Sequence, residues 1–184
     1  MRGRIIGVAA LLCAGAAQAE RVSEPYAKVG YWEIATENHR ECVMKREYPA
    51  TAKDGEEGLV IGYDPHAKVA VLGWAPRKPK FPAPTHPMNL ELSFLKGKSL
   101  NESWGSQPFS IAKSGDTYGF VHLFTAPGDS DRFLRDVASH DTFALFLGPV
   151  LMTGLPLNAS DAVAKLRECS AKIGEQGELP SAGE

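Results

Sequence analysis

Cysteine is scarce in this 184-residue chain, which carries three: Cys13, Cys42 and Cys169. They form no CxxC pair and no cluster with histidine, so a structural zinc site has no ready ligand set. Histidine is equally dispersed. His39, His66, His86, His122 and His140 fall into no His-x-His or HExxH spacing, and no serine occupies a GxSxG turn. Asp54-Gly55-Glu56-Glu57-Gly58 is acidic but lacks the alternating oxygen ligands of a calcium loop, and a solvated carboxylate makes a poor general acid. No cofactor or metal is assigned. A basic excess is missing too: 20 Lys and Arg stand against 22 Asp and Glu, for a net charge of −2, which argues against general nucleic-acid or anionic-membrane binding.

Long apolar runs are absent except at the N-terminus. Arg2 and Arg4 precede the apolar stretch Ile5 to Ala17, and Ala17-Gln18-Ala19 fits the small-x-small rule for cleavage, so residues 1–19 read as a secretory signal peptide. A mature chain from Glu20 would hold 18 basic and 22 acidic residues, a net of −4. Leu11-Leu12-Cys13 evokes an acylation site, but Leu12 is bulky where such sites take a small residue. No later stretch approaches the ~20 apolar residues of a spanning helix, so the expectation is a periplasmic or secreted protein with no transmembrane segment after signal removal.

Export gives the remaining cysteines meaning. Cys42 and Cys169 are an even pair, and in an oxidising compartment a disulfide is the expected state; two free or metal-binding thiols are the alternative. Cys169 belongs to an amphipathic helix, because Ala159, Ala162, Val163, Leu166, Cys169 and Ile173 recur at three- and four-residue steps. Asn158 is placed to cap its start and Gly174 to stop it.

The rest of the chain reads as strands. Trp32 and Ile34 alternate with Glu33 and Ala35, Cys42 and Met44 share a side with Arg46, and the runs 59–63 and 69–74 flank a five-residue hairpin connection. Five prolines between Pro76 and Pro87 exclude that passage from a central ladder and make it a connector, although Pro76-Arg77-Lys78-Pro79 also has PxxP spacing. Leu90, Leu92 and Phe94 mark a strand, followed by 108–111 and 118–124. A short helix around Phe133, Leu134 and Val137 ends near His140, and two strands turn at Gly148-Pro149 before the last helix. With 43% hydrophobic residues, one domain over residues 20–173 and a flexible tail over 174–184 are expected. The fold class is β-rich α+β: an antiparallel sheet, as a sandwich or partly closed barrel, with a short helix and a C-terminal helix packed on it.

Candidate chemistry is sparse. Gly128-Asp129-Ser130-Asp131 resembles a hydrolase loop but suits helix capping. His122, flanked by Val121 and Leu123, is the one histidine placed for burial, and a hydrolase would need it to face a carboxylate in a cleft. Trp74 and Trp104 lie at strand ends, where half-exposed indoles would line a ligand site.

Two resemblances bear on function. From Tyr118-Gly119-Phe120 through Gly154-Leu155-Pro156-Leu157 to the helix with Cys169, the chain resembles small exported alphaproteobacterial proteins broadly similar to the invasion-associated locus B group. That likeness implies a periplasmic or secreted β-rich domain and brings no catalytic residue. Gly30-Tyr31-Trp32 is similar to the glycine-x-tryptophan opening of lipocalins, which implies a barrel with an apolar-ligand pocket. The leading expectation is a non-enzymatic exported domain that interacts with another envelope or extracellular protein; the alternatives are an apolar-ligand carrier and a hydrolase.

Overall fold

Residues 22–49, 57–76, 86–97, 99–114 and 117–175 are described by the computed structural model, with backbone alone for Leu100, Asn101, Lys113, Ser114 and Thr117. Residues 1–19, expected to be a signal peptide and including Cys13, most of the proline-rich passage and the segment 176–184 lie outside them.

Alternation dictates the sheet. On β2 (Trp32–Glu37), β3 (Glu41–Tyr48), β4 (Glu57–Asp64) and β5 (Val69–Ala75), cross-strand registers bring Ile34, Met44, Ile61 and Leu72 into one row on one face. Each is at most 1% exposed, so this row is core. β1 (Ser23–Val29) flanks β2, and β8 (Thr117–Phe124) adds Phe120 and Phe124 beside β5. β7 (Ser99–Ser114) is the long element. Its first part pairs with β6 (Met88–Lys96) and its last five residues with β8, so one strand joins the two halves of the sheet. β9 (Thr142–Leu147) and β10 (Val150–Pro156) complete an antiparallel order β1-β2-β3-β4-β5-β8-β7-β6-β9-β10.

The full length of β7 departs from expectation, since only residues 108–111 signal a strand. Ser99 to Gln107 is mostly polar because little of it faces the core; the ladder to β6 makes it a strand, with irregular register where Gly105 takes φ +63°.

The helices seal the interior. α2 (Ser160–Glu175) lays Ala162, Val163, Leu166, Cys169 and Ile173 against β1 to β4, as its periodicity predicts. Its ends correct two details. Asn158 sits in the left-handed region at φ +44°, outside the helix, whose first backbone bond is Val163 N–H to Ala159. The helix also continues through Gly174 to Glu175. The sulfurs of Cys42 and Cys169 stand at disulfide distance with Cα atoms 6.1 Å apart, tying α2 to β3. At the surface, Tyr26 donates to Glu168 at 2.8 Å while the Lys172 ammonium lies 4.9 Å over the Tyr26 ring. The Lys165 ammonium, Tyr26 and Lys172 together hold the Glu168 carboxyl down to about 2.

α1 (Asp129–Ser139) packs Phe133 against Phe124, with rings stacked at 4.0 Å, and against Phe94 at 6.1 Å. Side-chain capping by the Asp129-Ser130-Asp131 run does not occur. Gly128 is the N-cap, in the left-handed region at φ +86°, and no side chain bonds there. The Ser130 hydroxyl instead contacts the carbonyls of Lys68 and Phe124 at 2.9 Å and accepts from the Ala70 amide, which ties α1 to β5 and β8. Asp129 and Asp131 still place negative charge in the first turn.

Candidate interaction surface

The β10 end of the sheet meets β2 to β4 through side chains rather than a ladder. The Trp32 indole N–H and the Arg46 guanidinium both donate to the Leu157 carbonyl, at 3.0 and 2.6 Å, and the Tyr48 hydroxyl donates to the Pro156 carbonyl at 2.9 Å. Further along, the Glu57 carboxylate accepts from Trp74 Nε1 at 2.7 Å and from the Thr153 hydroxyl at 2.5 Å. This seam joins β2 to β5 with the C-terminal half of β10.

Burying a guanidinium is costly unless its charge is compensated. Arg46 lies beneath three rings, those of Tyr31, Trp32 and Tyr48, at 5.1, 5.9 and 4.6 Å. Burial pushes the Tyr48 hydroxyl far above its ordinary range against the opposing pull of Arg46, so it stays a neutral donor to Pro156.

Beyond the seam β10 is bare. Leu147 (38% exposed), Val150 (57%) and Leu151 (54%) project at the tip of the β9–β10 hairpin. Gly148 takes φ +56° at the turn, a left-handed conformation that glycine adopts without steric cost, and Pro149 follows. No residue from Thr142 to Ser160 carries a charge. That run was visible in the sequence, but an uncharged run reads equally as a buried hairpin, and only the place of β10 at the end of the sheet leaves its tip outside.

The expected ligand-site residues stand apart. Trp74 is buried, its N–H held by Glu57 and its ring stacked on Phe120 at 5.1 Å. Trp104 is half-buried, with its N–H on Asp136 at 2.8 Å, an edge contact with Phe124, and the Arg132 guanidinium over its ring at 4.2 Å. Phe120 and Phe124 are four residues apart on β8, roughly 13 Å, so the two indoles pack on different rings of that strand.

His122 is buried, and its Nδ1 lies 2.9 Å from the Pro108 carbonyl, with the Phe109 and Phe124 rings at 5.4 and 4.5 Å. A backbone carbonyl stands where a hydrolytic base would need a carboxylate. Burial pushes the imidazole below its ordinary 6.5, outweighing the Pro108 hydrogen bond and the Asp129 charge, which act the other way. The fold therefore favours neutral His122. Its contribution is complete above about pH 6.5 and is lost as pH falls from there toward the lower folded value, because the unfolded chain binds the proton first. We predict that His122→Phe lessens the fall in unfolding free energy between about pH 7.5 and 5.5, read by urea titration at each pH; equal slopes in both proteins would refute this.

Among the described residues no cluster of three or more metal-ligating side chains occurs, and no helix is long and apolar enough to cross a membrane. No family model, curated protein or solved structure matches the chain.

Proposed function

We propose that this chain is an exported, non-enzymatic domain that binds another envelope or extracellular protein through the β9–β10 hairpin. The carrying observation is an uncharged apolar tip, where Leu147, Val150 and Leu151 stand exposed side by side on one hairpin while Val22, Tyr31 and Leu123 are exposed elsewhere. The seam supports the reading, since it fixes the base of the hairpin and so presents the tip in one geometry. Export is supported by the signal-like N-terminus and by the Cys42–Cys169 pair, whose sulfurs stand where an oxidising compartment would join them. The likeness to exported proteins of the invasion-associated locus B group agrees with this placement.

A photocrosslinking residue at position 150 tests the proposal in cells that produce the protein. It should trap a discrete, identifiable protein that an equivalent probe at Lys165, on the exposed side of α2, does not. Leu151→Glu should abolish that product while shifting the melting temperature by no more than about 2 °C, because Leu151 contributes little to the core. Identical products from both probe positions would remove the hairpin from the function.

A further inference from the structure

We infer that the occupant of the hairpin edge is a second copy of this chain, paired β10 to β10 about a two-fold axis; this rests on the hairpin being a docking surface and names what docks.

The sheet has two edges, and they are unequally guarded. An edge strand directs every second N–H and C=O outward, and natural sheets blunt such edges with charge, proline, bulges or covering elements. β1 has all four: Glu24 and Lys28, Pro25, a register shift between Pro25 and Ala27, and Tyr26 held by Glu168 and Lys172 of α2. On β10 the seam engages Thr153 and Pro156, and just past it Leu157. Val150 and Leu151 keep a free edge with no charge, ended by the register shift between Leu151 and Thr153.

A two-fold contact sets each residue against itself or its near neighbour, so any charge near the axis meets its own like. The absence of charge from Thr142 to Ser160 removes that penalty, and Val150 with Leu151 presents apolar surface that is complementary to itself. Head-to-tail growth would require β1, which is guarded, so the assembly closes at two. Three apolar side chains and a short ladder per copy bury less than the ~1,200 Å² at which stable interfaces begin, so the dimer is weak and forms only at high protein concentration. A lipid surface fits less well. The tip has no Lys, Arg, Trp or Tyr, and the β6 residue opposite Phe146 is the acidic Glu91.

Sedimentation equilibrium of the purified full chain from about 1 to 300 µM tests the inference. The wild type should pass from monomer to dimer, and amide exchange at Val150 and Leu151 should slow at the higher concentration. Leu151→Lys should weaken association by about 30-fold or more with an unchanged melting temperature, while Leu123→Lys, at an exposed site in the middle of the sheet, should leave the dimer intact. A monomer throughout, a dimer indifferent to Leu151→Lys, or a monomer that floats with phosphatidylcholine–phosphatidylglycerol vesicles would each overturn it. If the chain stays monomeric yet the probe at position 150 traps a different protein, the dimer is wrong and the docking surface stands; if that probe traps nothing specific, both fall.

Discussion

Trp32→Ala is expected to cost about 4 kcal/mol of stability, because it empties the largest kind of buried side chain at a site with little freedom to collapse. Trp32 is 1% exposed on β2, and its N–H reaches Leu157, so it joins the first hairpin to the end of β10. For a domain of this size the loss corresponds to a fall in melting temperature of roughly 8–16 °C. Trp32→Phe separates packing from hydrogen bonding. It should cost about 1–2 kcal/mol, since the Leu157 carbonyl keeps its bond from Arg46 and most of the ring volume remains. Thermal unfolding of both variants decides the matter: equal losses would mean that the indole N–H, not the volume, holds the seam.

The second large effect belongs to the link between β3 and α2. Replacing Cys42 and Cys169 together by alanine should destabilise by about 2–5 kcal/mol, the usual range for a native disulfide, with the loop-entropy model near the upper limit for a separation of 127 residues. Both positions are buried, so the variant also loses a little core volume. Reduction of the wild type should reproduce most of the effect without that loss. Urea titrations of oxidised, reduced and double-alanine protein give the comparison, and coincident curves for the first two would show that the link contributes nothing.

Both sites were partly legible in the sequence, for different reasons. Cys169 lies on the apolar stripe of a helix whose 3.6-residue period is plain, and with Cys42 it makes an even pair once the signal-like residues 1–19 are set aside. Trp32 alternates with charged neighbours and so reads as core. Arg46 was assigned to the same side as Cys42 and Met44, which is where it lies, but a charged residue in a strand gives no hint of three rings gathered over it. Ser130 was read as a local cap because Gly-Asp-Ser-Asp before an apolar period has that signature; its hydroxyl went instead to β5 and β8, where a buried amide needed an acceptor.

Local patterning thus settled which segments are strands or helices and which face of most of them is apolar, since side-chain period is a property of neighbouring residues. The tertiary structure decided what depends on residues distant in sequence. The polar first half of β7 became a strand by pairing with β6, Trp74 and Trp104 packed on different rings of β8, and side chains of β2 to β4 satisfied the far end of β10 while leaving Val150 and Leu151 outside. Burial and hydrogen-bond satisfaction at those positions are set by partners up to 125 residues away along the chain, and no local window of sequence contains them.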